Sequence, residues 1–376
     1  MDLNQLLNTM LEKKASDLHL RVGAPPLLRI DGMLQPLDDK RLTIADLNLI
    51  KDNILTDNQK KILAEQLAVD SSYSIESFSR FRLNLFYQRG TIAMVFRNIA
   101  TIIPTIETLE LPRILTSFCE KLQGLVIVSG PTGSGKSSSL SAILQHINTT
   151  RKLHVITIED PIEFLFRDDK SFITQREIGL DTPNYQIGLK NAMRQDPDVM
   201  LIGEIRSMDT MEIALSAAET GHLVFTTVHA NSSYDVIPRI VDAFPTDDRE
   251  LVRKQLADVL IASVFQRLVP RNSGTGRVAA VEIMVKSPRI KELIEKNEIK
   301  EIREEIENSV SVYNMQSIEQ SLIALIANKI ITYEDAMNVT LMQGEMKLMM
   351  DKLGINKEGE ILERKESKKN GSGFLF

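Results

Sequence analysis

The sequence predicts an α/β protein of two domains: a small α+β domain followed by a parallel-sheet P-loop domain with a helical C-terminal region. Its 376 residues exceed one ordinary core at roughly 100–200 residues per domain. The first hundred residues read as an amphipathic helix and short alternating strands, whereas from Gly124 apolar strands alternate with helical segments, the sign of βαβ units. The expected boundaries are 1–99 for the first domain, 100–123 for a linker, 124–353 for the second domain and 354–376 for a disordered tail.

Leu3, Leu6, Leu7, Met10 and Leu11 share one helical face. Leu18 to Val22 and Leu27 to Gly32 flank the turn former GAPP and predict neighbouring strands. Arg80 to Tyr87 and Thr91 to Arg97 predict a hairpin around Gln88, Arg89 and Gly90. Asn98 to Leu111, with Pro104 and Pro112 near its end, is the joint between domains. GLVIVSG, LHVITIE, DVMLIGE and HLVFTTVH are buried strands rich in β-branched residues. After about Asp247 the pattern predicts helix through LVRKQLADVLIASVFQRL and on in charged amphipathic segments to about Leu353. The stretch KEGEILERKESKKNGSG is polar and charged, the composition of a disordered tail.

Composition excludes several classes. A single cysteine, Cys119, closes no internal disulfide and supplies no Cys₄ zinc site, so it reads as a buried structural thiol. No apolar run approaches the roughly 18–20 residues that span a bilayer, and MDLNQLLNTM lacks the cationic flank of a signal peptide, so a cytoplasmic chain is expected. A net charge of −6 and 5% aromatic content argue against nucleic acid as a partner.

One motif dominates the chemistry. Gly130, Pro131, Thr132, Gly133, Ser134, Gly135, Lys136, Ser137 and Ser138 form GPTGSGKSS, which fits G-x-x-x-x-G-K-[ST] between a strand and a helix. Backbone amides there curl around phosphate oxygens, Lys136 reaches the outer phosphates of ATP and Ser137 serves Mg²⁺. Two later strands end in carboxylates, Glu159, Asp160 and Glu163 after one and Glu204 after the other. Strand carboxyl ends face the ligand crevice of a doubly wound sheet. Glu159 and Glu204 are therefore metal candidates, and either Glu163 or Glu204 orients the attacking water. Gly203 stands where a metal-holding Asp is common in such strands. His222 and His229 bracket the last of these strands, and His229, at its carboxyl end, is the candidate phosphate sensor. His19, His146 and His154 read as structural.

Cations on the developing charge complete a phosphoryl-transfer site. A two-residue turn at Arg89 and Gly90 sets Arg82 opposite Arg97, and like charges so placed call for an anion between them or an acid such as Glu76 beside them. A phosphate of a neighbouring subunit is one such anion. Arg80 shares that face, and Arg113 is a weaker candidate.

Ordered blocks along most of the chain carry a family resemblance: ASDLHL, GAPPLLRIDG, RFRLNLFYQRG, GPTGSGKS, TIEDPIEF, TQREIGLDT, RQDPDVMLIGEIR, AAETGHLVFTTVHA and RIVDAFP. In these the chain resembles the secretion-type hexameric ATPases, and within them the type IV pilus retraction ATPases. The resemblance implies a PAS-like N-terminal domain, a RecA-like C-terminal domain, a homohexameric ring and ATP bound between subunits. It implies Glu163 as catalytic base, Glu204 in the Walker B strand and Arg82 and Arg97 as the arginines that approach nucleotide. It further implies a place at the cytoplasmic face of the inner membrane, working on a pilus platform protein, either as the retraction motor or as an accessory ATPase paired with one. Extension motors of the superfamily carry a longer N-terminal region and a tetracysteine zinc element, so the lone cysteine favours retraction. SPRIKELIEKNEIK, from Ser287 to Lys300, departs from the charged helix motif of retraction ATPases while keeping Ile290, Leu293 and Ile294 at helical spacing. A nucleic-acid translocase on the same core is the competing reading.

Overall fold

The computed structural model describes residues 2–75, 79–99 and 102–360. Glu76 and the tail beyond residue 360 lie outside these residues. The first domain runs α1 (Leu3–Glu12), β1 (Asp17–Arg21), β2 (Leu27–Ile30), β3 (Met33–Pro36), α2 (Ile44–Ile54), α3 (Asp57–Gln66), β4 (Ala68–Ile75), β5 (Ser79–Gln88) and β6 (Thr91–Asn98). Its strands form one antiparallel sheet in the order β3-β2-β1-β6-β5-β4. The apolar face of α1, with Leu3, Leu6, Leu7 and Met10, packs on Leu18, Leu83, Leu85 and Phe96 of that sheet. Thr43 with Asp46 and Thr56 with Gln59 form capping boxes that start α2 and α3. The β5–β6 hairpin has the expected register: Gln88 pairs with Thr91 and Arg82 with Arg97. Arg89 and Gly90, at φ 48° and 75°, make the two-residue left-handed turn whose twist suits a hairpin.

The second domain begins with α4 (Ile114–Cys119), β7 (Gly124–Ser129), α5 (Lys136–Thr150), β8 (His154–Glu159), β9 (Phe172–Glu177), α6 (Tyr185–Ala192), β10 (Val199–Ile202), α7 (Met208–Glu219) and β11 (Leu223–Val228). It continues through α8 (Val236–Val241), α9 (Arg249–Val259), β12 (Leu260–Pro270) and β13 (Arg277–Val285). The seven-stranded sheet has the order β13-β12-β7-β11-β10-β8-β9, parallel except for β13 at its edge. Apolar clusters cover both faces. The C-terminal helices are α10 (Pro288–Glu295), α11 (Ile299–Asn308), α12 (Val310–Tyr313), α13 (Ile318–Ala327), α14 (Tyr333–Val339) and α15 (Gln343–Leu353). Leu322, Ile326 and Met346 of this group pack on Phe265, Val269 and Val278 of β12 and β13.

Two sequence expectations are corrected. The helix beginning at Arg249 stops at Val259, and LIASVFQRLVP is strand β12. Every residue from Leu260 to Gln266 is buried, and a strand covered on both faces shows no alternation to tell it from a buried helix. No Gly or Pro separates the two elements, so nothing in the sequence marks the change. The segment expected to be a linker, 100–123, contributes to the second domain: Ile106, Leu111, Leu115 and Phe118 join its core. Cys119 sits in that core as expected, and burial pushes its thiol up to about 12. Ile290, Leu293 and Ile294 are fully buried on one face of α10, so the departure in its charged pattern is confined to the solvent side. Among the described residues no helix is long and apolar enough to cross a membrane.

Candidate active site

The parallel strands β7, β8, β10 and β11 end at a common cavity of about 630 Å³. The fully buried run of β7 delivers the chain to Gly130, whose φ of 144° excludes a side chain. A Cβ there would lie 2.4 Å from the carbonyl oxygen of Gln266 and 2.7 Å from Ser134 Oγ. Gly133 and Gly135 are left-handed as well, and α5 begins at Lys136 with no side chain capping it. Its first amides are therefore available to an anion. Ser134 Oγ is buried without a hydrogen-bond partner, a further donor inside the loop.

Thr132, Gly133, Gly135, Lys136, Ser137 and Ser138 line the cavity, while Gly130, Pro131 and Ser134 build the loop behind them. Lys136 Nζ donates to the carbonyl oxygens of Gly130 at 2.9 Å and Pro131 at 3.0 Å. Burial depresses its pKa against the pull of the Glu204 and Glu163 carboxylates.

Glu159, Asp160, Glu163 and Glu204 face the loop across the cavity. Glu204 Oε2 accepts from Arg206 Nη2 at 2.7 Å, and its Oε1 lies 3.0 Å from His229 Nε2. The Arg206 hydrogen bond holds the Glu204 carboxyl below its ordinary range. His229 also reaches the Gly130 carbonyl oxygen, 3.2 Å from Nδ1, so its ring bridges the phosphate loop and the acidic strand. Thr226 and Thr227 hydroxyls donate to the Ile202 and Gly203 carbonyl oxygens, which fixes the ends of β10 and β11 to each other. His222 takes a structural place, with Nδ1 2.9 Å from the Ala217 carbonyl oxygen.

Glu159 differs from the other acids. Its buried carboxylate accepts from Thr157 Oγ1 at 2.6 Å and Gln175 Nε2 at 3.2 Å, and burial pushes it up to about 7. Glu163 is exposed on the cavity rim.

The two arginines of the hairpin part company. Arg82 lines the cavity, but Arg97 does not: its Nε donates to Asp17 Oδ1 at 2.8 Å. Asp17 lies opposite Arg97 on β1 and is the acid that relieves the Arg82–Arg97 repulsion, so no phosphate is needed between them. Asp17 also lies 3.8 Å from Arg29, and its carboxyl is lowered: the Ser16 and Arg97 hydrogen bonds outweigh its burial.

Gln266 lies on β12, where no sequence motif marks it. Its Nε2 donates to the Ser134 carbonyl oxygen at 2.8 Å and its Oε1 accepts from Ser139 Oγ at 2.7 Å, bracing the phosphate loop against β12. Tyr185 is likewise marked by no motif, and its hydroxyl would lie 3.0 Å from a Cβ at Gly203. Space, and not only chemistry, therefore keeps Gly203 in the position where an Asp is common.

Among the described residues no cluster of three or more His, Cys, Asp or Glu side chains forms a metal cage. A lone serine hydroxyl beside carboxylates suits Mg²⁺, a cation that keeps waters and shares phosphate oxygens.

Residues 1–358 match the family model described as "Type II/IV secretion system protein". The chain is 38% identical to the type IV pilus ATPase PilU of Pseudomonas aeruginosa over 96% of its length and 94% of that protein. It is 39% identical to the retraction ATPase PilT of the same organism, over 89% of this chain and 97% of the relative. A crystal structure of the pilus retraction motor PilT with bound ADP superposes with a TM-score of 0.84 at 40% identity, covering 93% of this chain and all of that one. The Legionella pneumophila ATPase DotB superposes at 0.78 with 26% identity, over 93% and 95% of the two chains. The chain belongs to the type II/IV secretion system protein family, with the two-domain fold of the pilus retraction ATPases.

Proposed function

We propose that the chain is a motor that hydrolyses ATP to power type IV pilus retraction. The observation that carries this is the joining of three groups around one cavity: the phosphate loop with Lys136, the Glu204–His229 pair, and Arg82 of the first domain. Amides at the start of α5 and Lys136 hold the phosphates of ATP. Moving Lys136 Nζ from the Gly130 and Pro131 carbonyl oxygens to a phosphate exchanges two neutral acceptors for a charged one.

Ser137 with Glu204 and Glu159 would hold Mg²⁺, which neutralises phosphate charge when bound. Glu163 or Glu204 orients water for attack on the γ-phosphorus and takes its proton, while ADP leaves with the bridging oxygen. His229 contacts the γ-phosphate, and Arg82 adds positive charge from the first domain; Arg97, paired with Asp17, supports Arg82. Loss of the γ-phosphate removes a contact shared by both domains and lets them reorient. In this reading six copies form a ring at the cytoplasmic face of the inner membrane and act on a platform protein, with nucleic acid no part of the work.

The test is retraction of labelled pili in cells carrying Lys136→Ala. Pili that extend and no longer retract are expected; undiminished retraction contradicts the proposal. A second reading, an accessory ATPase paired with another motor, is favoured by the longer match to PilU, 362 residues against 336 for PilT. Under it, pili still retract when the gene is deleted.

A further inference from the structure

We propose that Arg80 and Glu177 form a latch that docks the first domain on the nucleotide site of its own chain, and that Glu177 is a positioning residue for the loop carrying Glu163. The inference rests on the ATP-hydrolysis reading and deepens it.

Glu177 closes β9, the edge strand of the large sheet, and is buried with 3% of its surface exposed. One of its oxygens serves two masters. Oε2 accepts from Arg80 Nη2, in the first domain, at 3.0 Å and from the Ile162 amide at 3.3 Å. Ile162 directly precedes Glu163 in the acidic loop. The carboxylate is itself held in place, since the Glu177 amide donates to Asp181 Oδ2 at 2.8 Å and the Ile178 amide to the Glu159 carbonyl oxygen at 2.9 Å.

The arginine is equally committed. Its Nε is buried with no hydrogen-bond partner, and its Nη2 meets the buried Glu177 carboxylate, its counter-ion across the seam between domains. Removing one partner of such a pair strands the other, which is costlier than removing both. Arg80 lies two residues before Arg82 on β5, on the same face. A latch at Arg80 therefore also sets Arg82 at the cavity that it lines. When the first domain swings away, one event withdraws Arg82 from the nucleotide and takes a cation from the oxygen that holds the Glu163 loop.

The experiment uses the full chain with spin labels on cysteines replacing Arg89 and Lys190, both exposed, diluted into unlabelled chain. The native Cys119 is buried and does not compete for label. A narrow inter-label distance distribution is expected without substitution. Arg80→Gln and Glu177→Gln should each broaden it, the double variant no more than either single, and Arg80→Lys should narrow it again. Each single variant should lower kcat about 10-fold with KM for ATP held within about 2-fold, because the phosphate loop is untouched. An unchanged distance distribution in both singles, or a raised KM at constant kcat, overturns the latch. Lys136→Ala separates the two claims: full turnover in that variant sinks the ATP site, while the label distances still judge the latch.

Discussion

His229 Nε2 lies 3.0 Å from Glu204 Oε1 while Nδ1 of the same ring lies 3.2 Å from the Gly130 carbonyl oxygen. One imidazole thus spans the ends of β7, β10 and β11, and the carboxylate that faces the phosphate loop is aimed by it. His229→Ala should lower kcat about 100-fold, the scale of a misplaced acid–base group, with the melting temperature nearly unchanged because the ring is partly exposed. Steady-state kinetics with a thermal melt checks both halves, and a variant with normal kcat contradicts this role.

Glu159 makes stability depend on pH. Its carboxyl is raised by burial from 4.5 to about 7, so the folded chain binds that proton more tightly than the unfolded chain. The associated stability is present below about 4.5 and is lost as pH rises through about 7. Glu159→Gln stays neutral throughout. In nucleotide-free protein its melting temperature should exceed the parent's by roughly a few degrees at about pH 8 and by much less at about pH 5. A difference independent of pH would show that the Glu159 carboxyl does not titrate in this window.

Gly203 is held small by its neighbours. An added Cβ meets Tyr185 Oη at 3.0 Å and the Ile158 carbonyl oxygen at 3.3 Å. Gly203→Ala should destabilise the second domain by about 1–3 kcal/mol, as overpacking does, and Tyr185→Phe should recover part of the loss by removing the nearest atom. Denaturant melts of the two single variants and the double measure this, and strict additivity would refute the steric account.

Gln266 should matter to substrate affinity more than to chemistry. Gln266→Leu strands the Ser139 hydroxyl and the Ser134 carbonyl, each a buried group costing about 1–3 kcal/mol when unpaired. The phosphate loop loses its brace, so KM for ATP is expected to rise about 10-fold while kcat changes little. An unchanged KM would show that the loop needs no support from β12.

The legible parts of this chain were those whose chemistry requires fixed spacing. GPTGSGKS specifies a strand, a left-handed glycine loop and a helix at once, and the β-branched runs before Glu159, Glu204 and His229 delivered those side chains to one cavity. The turn at Arg89 and Gly90 was equally local, and it placed Arg82 opposite Arg97. What stayed hidden depended on pairing across long separations. Asp17 meets Arg97 only because β1 lies beside β6, and Gln266 meets Ser134 only because β12 lies beside β7. Burial on both faces concealed β12 itself, and with it the brace of the phosphate loop.

The most direct test of the account is ATP turnover by Glu204→Gln measured beside its ATP affinity. In the proposed reading Glu204 serves the metal or the attacking water and touches no phosphate itself, so hydrolysis should fall about 100-fold or more while the dissociation constant for ATP stays within a few-fold. Turnover at the parental rate in that variant would contradict the assignment of hydrolysis to this cavity.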